Sequence, residues 1–147
     1  MKSFRLLAAL CLLGAVAPSH AGPYTDDLSR CLVEKSTAED RSLLVQWIFV
    51  AMAQHPSVSA LTKVGSSDVE KYNKIAADLF MKLLTETCVD DTKKAVKYEG
   101  AIAIQTSFQV LGQAAAREIF SHPDVARMMS GLDKYVDKSK LEFLGQQ

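Results

Sequence analysis

Two cysteines carry the strongest chemical signal in this chain. Cys31 and Cys88 stand 57 residues apart, far outside the C-x-x-C spacing of redox motifs and haem attachment. Arg30 is the one cation beside them in sequence, which is not the electropositive setting of a reactive thiolate. The chemistry expected of the pair is a structural disulfide. In the chain-entropy model, closing a loop of that length is worth about 4 kcal/mol.

Three other residues invite a chemical reading. His55 and His122 occur in a shared His-Pro-x-Val pattern, His55-Pro56-Ser57-Val58 and His122-Pro123-Asp124-Val125. Each is expected at a helix C-terminus, where an imidazolium meets the last carbonyls. The flanking residues do not align over a repeat length, so the echo reads as one helix-stop device used twice. No H-x-x-x-H or C-x-x-C spacing supplies the further ligands of a zinc site. Glu99 is the best single carboxylate candidate, because Gly100 beside it lets a partner backbone come close; a solvated or paired mid-helix carboxylate is the ordinary alternative.

The remaining motifs are weak. There is no G-x-S-x-G elbow and no Gly-rich phosphate loop. Lys93, Lys94 and Lys97 lie among Asp90, Asp91 and Glu99 without the aromatic interleaving that stacks bases. Met128-Met129 reads as core filling, not as a copper site. The sequence therefore assigns no catalytic residue, cofactor or metal ligand.

The compartment follows from the first 21 residues. Lys2 and Arg5 precede an uncharged apolar run, Leu6 to Ala17, and Ser19-His20-Ala21 places small residues at the −3 and −1 positions before Gly22. That is the pattern of a secretory signal peptide. Cleavage would remove Cys11 and leave Cys31 and Cys88 in an oxidising compartment. Leu10 before Cys11 is too large for a lipoprotein signal. The leader is bacterial in length and composition, so a periplasmic or secreted protein is expected.

Removing 21 of the 147 residues leaves 126, enough for a single helical domain over 22–147. The leader takes two of the 17 basic residues and none of the 17 acidic ones, so the remainder carries −2. That balance argues against nucleic acid or an anionic membrane surface as the main partner. The most apolar later stretch, Leu43 to Ala53, would rise about 16 Å as a helix, half of a hydrocarbon core of about 30 Å.

The elements that would position these residues all read as helices. The first is expected from a Thr25 cap to Glu34, with Leu28, Cys31 and Leu32 on one side. Ser36 and Glu39 predict a capping box for a second helix ending before Pro56. Leu43, Leu44, Val45, Trp47, Ile48, Phe49, Val50, Ala51 and Met52 make that helix apolar almost all round, which predicts a central position in a bundle. Ser67 and Glu70 predict a cap for a third helix to about Thr87. Thr92 to Phe120 reads as one long helix with a bend near Gly100, and its small residues would let neighbours approach closely. A last helix follows Asp124, with Met128, Met129 and Leu132 on its apolar stripe. The architecture expected is an all-α bundle of about five helices stapled by one disulfide.

This pattern favours an exported, non-enzymatic binding or interaction protein of the bacterial envelope. The surplus apolar surface of the second helix marks Val45, Trp47, Phe49 and Val50 as an interaction surface. A homodimer or another envelope protein would cover it. Two alternatives share the same features. One is an inhibitor or immunity-type protein that caps a periplasmic enzyme or toxin. The other is a carrier of a small apolar ligand, held among Trp47, Phe49, Tyr72, Phe80 and Phe108.

Overall fold

The computed structural model describes residues 22–145, and the regular elements among them are all helical. The leader expected over 1–21 lies outside the described residues. Seven α-helices run in the order α1 (Pro23–Lys35), α2 (Ala38–Met52), α3 (Pro56–Ser59), α4 (Ser66–Lys82), α5 (Val89–Glu99), α6 (Ile102–Ser121) and α7 (Pro123–Ser130). A π-turn over Leu83–Thr87 extends α4, and two 3-10 segments, Gly131–Lys134 and Lys138–Gly145, follow α7. Five helices of eleven residues or more form the body, which agrees with the sequence reading.

Local chemistry moved several boundaries. Pro23, with its fixed φ, starts α1 ahead of Thr25. Thr25 thus lies inside the helix and is buried. The capping box of α2 is Thr37 with Asp40, one residue later than expected. The Thr37 hydroxyl accepts from Asp40 N–H at 3.1 Å, and the Asp40 carboxylate accepts from Thr37 N–H at 2.9 Å. Ser36 instead donates its hydroxyl to the Val33 carbonyl. At α4 the cap is Gly65, whose N–H donates to Asp68 at 3.0 Å, in place of the Ser67–Glu70 pair.

The long helix expected from Thr92 is two helices. Gly100 has φ 83° and ψ 179°, a conformation essentially confined to glycine. Its N–H still closes α5 on the Val96 carbonyl at 3.1 Å. The chain then leaves in a new direction as α6.

The centre of the fold is α1, not α2. Leu28 and Leu32 of α1 are fully buried with Leu83, and Leu111 of α6 is 1% exposed. α1 lies against α5 and α6, while α2 lies against α4 and α6. The inward face of α6 repeats at four-residue intervals as Ala103, Ser107, Leu111 and Ala115, all buried. Small side chains there let α1 sit close. The buried hydroxyls between the two helices share one acceptor: Ser29 donates to the Thr25 carbonyl at 2.7 Å, and Ser107 donates to the same carbonyl at 3.2 Å, with the two hydroxyl oxygens 3.1 Å apart. Such polar residues lower the apparent hydropathy of α1, yet burial costs little where each hydroxyl has a partner.

The expectation of central burial for α2 is therefore corrected. Among its residues only Asp40, Leu44 and Val50 are buried, while Phe49 is 48% and Met52 54% exposed. Leu43, Val45, Trp47 and Ile48 are half-buried against the core, so this helix buries one face and leaves Phe49, Ala51 and Met52 exposed. The Met128–Met129 pair is corrected in the same way, since both side chains are exposed and no residue of α7 is buried.

The disulfide ties the two halves of the chain. Cys31 of α1 and Cys88, at the junction of the π-turn and α5, have sulfurs 2.06 Å apart and Cα atoms 6.0 Å apart. Cys88 N–H bonds back to the Leu83 carbonyl across the widened turn at 2.8 Å. The core around it includes Leu28, Leu32, Leu83 and Ala95. No described helix is long and apolar enough to cross a membrane.

Candidate functional site

Glu99 closes α5, and its carboxylate reaches across to the first turn of α1. It accepts from Tyr24 N–H at 2.9 Å, from Thr25 N–H at 2.8 Å, and from the Thr25 hydroxyl. A carboxylate at a helix N-terminus satisfies orphan amides and meets the positive end of the dipole. Tyr24 stacks on Tyr98 beside it, with ring centroids 4.7 Å apart. The group offered by the sequence for acid–base work is thus an α1 cap supplied in trans. The backbone that comes close is Gly22. Gly100, the neighbour the sequence pointed to, breaks the helix so that the Glu99 side chain can turn toward α1.

Partial burial works to raise the Glu99 pKa, but the hydrogen bonds from Thr25 and Tyr24 outweigh it and hold the carboxyl below its ordinary range. Asp40 follows the same balance. Burial pushes it up, while the Thr37 backbone bond and the Lys82 ammonium, 3.2 Å from its oxygen, bring it down. Both groups have a folded pKa below the unfolded one. The stability they contribute is complete above the ordinary carboxylate range of about 4 and is lost as the pH falls through the folded values. Thermal unfolding followed by circular dichroism should give a Tm that is level from pH 7 to pH 5 and falls below about pH 4. In Glu99→Gln the fall should be shallower.

Both histidines follow a helix C-terminus as expected, His122 as the C-cap of α6, but neither ring serves the helix it follows. Each caps the helix that follows, with proline at its first position. His55 Nδ1 accepts from Ser57 N–H at 3.2 Å, and His122 Nδ1 accepts from Asp124 N–H at 3.3 Å. The shared His-Pro-x-Val pattern is therefore one local device used twice, and the device starts a helix. Among the described residues no group of three or more His, Cys, Asp or Glu side chains gathers to hold a metal ion.

The open surface lies along α2. On one flank, Val45, Phe49 and Val50 line a groove of about 450 Å³ whose far wall is Val64 and Tyr72, with Lys63 and Asp68 at its edge. On another flank, Leu44, Trp47 and Ile48 face Phe80 of α4 and Phe108 of α6 across a second groove of about 450 Å³, with Gln105 and Gln109 at its rim. Phe80 is the pivot here: it meets Trp47 edge-on at 5.6 Å and Phe108 at 4.4 Å. The Trp47 indole N–H donates to Asn73 at 3.0 Å. Near the start of α2, Ala38, Ser42 and Val45 face Ala115, Ile119 and Val125 across a smaller groove of about 230 Å³. The ion pair of Arg41 with Glu118, at 2.6 Å, bridges it.

The four residues marked on α2 thus divide between two grooves. Val45, Phe49 and Val50 share one, with Val50 forming its buried wall at 6% exposure. Trp47 belongs to the other, which also takes two of the proposed ligand-cavity aromatics, Phe80 and Phe108. Phe49 and Tyr72 go to the first. Met52, not among the four residues marked from the sequence, is one of the exposed apolar residues of that helix. Comparison with protein-family models, with curated proteins and with solved structures gives no match.

Proposed function

We propose that this chain is an exported, non-enzymatic helical binding protein of the bacterial envelope, and that α2 is its binding element. The observation that carries the reading is the division of labour between α1 and α2. The core is built most heavily on α1, while α2 gives it Leu44 and also leaves Val45, Trp47 and Phe49 lining open grooves. Contiguous apolar surface left uncovered marks interaction sites. The groups that the sequence offers for chemistry, Glu99, His55 and His122, are occupied as helix caps. The disulfide fits an oxidising compartment, and the leader-like first 21 residues fit export.

A second copy is the simplest partner for the Val45–Phe49–Met52 flank. Sedimentation of the chain beginning at Gly22, from micromolar concentration to near millimolar, should show a monomer–dimer equilibrium. The double variant Phe49→Ser/Met52→Ser should stay monomeric and fold normally. A wild-type protein that is monomeric throughout removes self-association from the account.

The aromatic groove favours one further reading, carriage of a small apolar ligand. Trp47 is the one tryptophan of the chain, so its fluorescence reports on that groove alone. Titration with a medium-chain fatty acid should quench or shift its emission, and Phe108→Ala should weaken the effect. An emission unchanged at saturating ligand retires the carrier reading.

A further inference from the structure

We propose that the amino terminus created by cleavage before Gly22 locks α1 in place, its new ammonium pairing with the Glu99 carboxylate. The inference rests on the reading of this chain as exported and processed at that position.

The geometry at Gly22 is unusually tight. A Cβ built on it would lie 2.2 Å from Glu99 Oε1 and 2.3 Å from its carboxyl carbon. No side chain other than hydrogen fits while Glu99 keeps its bonds to Tyr24 and Thr25. Standard bond lengths then place the Gly22 nitrogen within about 5 Å of Oε1. In an uncleaved chain that nitrogen is a neutral amide with one N–H in a fixed direction. After cleavage it carries a full positive charge and three N–H groups that turn about the Cα–N bond.

The charge needs that carboxylate. Gly22 is the N-cap of α1, and a cation there opposes the positive end of the helix dipole. Glu99 converts an unfavourable position into an ion pair. The pairing fastens the helix that carries Leu28, Leu32 and Cys31 to the end of α5. Gly22 thereby gains a structural role besides serving as a small residue at a cleavage site.

The test compares two forms of the chain from residue 22 onward, one beginning at Gly22 and one retaining Ala21 before it. The extension moves the charge by one residue, about 3.8 Å along the chain. Amide hydrogen exchange at Tyr24 and Thr25 is the readout, with Tm alongside. The extended form should exchange several-fold faster at both amides and melt a few degrees lower. In a Glu99→Gln background that difference should vanish or reverse. In 1 M salt, where the screening length is about 3 Å, it should shrink in the wild type. The salt series decides the matter even if Glu99→Gln does not fold.

Equal exchange in the two wild-type forms overturns the latch, as does a difference that survives 1 M salt. The mass of the exported protein separates the two levels of the claim. A first residue other than Gly22 removes the processing reading. Equal exchange in a chain shown to begin at Gly22 removes the latch and leaves the binding reading standing.

Discussion

Replacing Cys31 and Cys88 together by alanine should lower the free energy of unfolding by about 4 kcal/mol, the loop-closure value for a separation of 57 residues. The effect is large because the loop spans α2, α3 and α4. With the bridge closed, the unfolded chain cannot separate its first helix from the residues that begin α5. With it open, that freedom returns. Part of the loss also falls on the native state, since Cys88 is buried at 2% exposure beside Leu28, Leu32 and Leu83. Urea unfolding of the oxidised wild type and of Cys31→Ala/Cys88→Ala measures the difference. The double variant should also show a larger m-value, because its unfolded state exposes more surface. A loss below about 1 kcal/mol would show that the bridge adds little to a body already complete.

The second large effect concerns where the core lies. Leu32→Ala should destabilise by about 2–5 kcal/mol, the range for removing a fully buried leucine and leaving a cavity. Leu32 is 0% exposed and belongs to the cluster shared by α1, α2, α4, α5 and α6, to which α2 gives Leu44. Phe49→Ala should cost under about 1 kcal/mol, although phenylalanine is the larger side chain. Phe49 is half exposed on the α2 flank, and a residue already in water loses little on truncation. Thermal or urea denaturation of the two variants gives the comparison directly. The reverse order would place α2 at the centre, as its hydropathy alone suggests.

That reversal shows what the sequence could and could not reveal. Helical periodicity, the stops at Pro56 and Pro123 and the pairing of two cysteines were legible, because each depends on local chemistry or on elimination. The centre of the bundle was not. Hydropathy ranks α2 above α1, but burial in α1 rests on Thr25 and Ser29, whose hydroxyls look like surface residues until Ser107 is brought beside them. The four-residue spacing of Ala103, Ser107, Leu111 and Ala115 was a visible signal of a close helix–helix seam. It did not say which helix would fill it.

Glu99 shows the same limit at the candidate site. The sequence offered Glu99 for acid–base work, and the structure shows the ordinary alternative, a paired carboxylate beside a backbone that comes near. The sequence could not identify that backbone as the start of α1, 75 residues away in sequence from the Tyr24 amide it binds. The histidines were assigned to the ends of α2 and α6 because both follow long helices. Which side of a His-Pro corner the ring serves depends on the Nδ1 bond to the next helix, and residue type alone does not set that direction.

Photochemical carbene footprinting across a concentration series tests the central claim most directly, that α1 forms the core and α2 is the exposed binding element. At low micromolar concentration Phe49 and Met52 should label heavily while Leu28 and Leu32 do not. Near millimolar concentration Phe49 and Met52 should become protected, while Leu61, exposed on the α3–α4 connection, keeps its label. Protection of Phe49 and Met52 at every concentration, with α1 labelled in the monomer, would contradict the account.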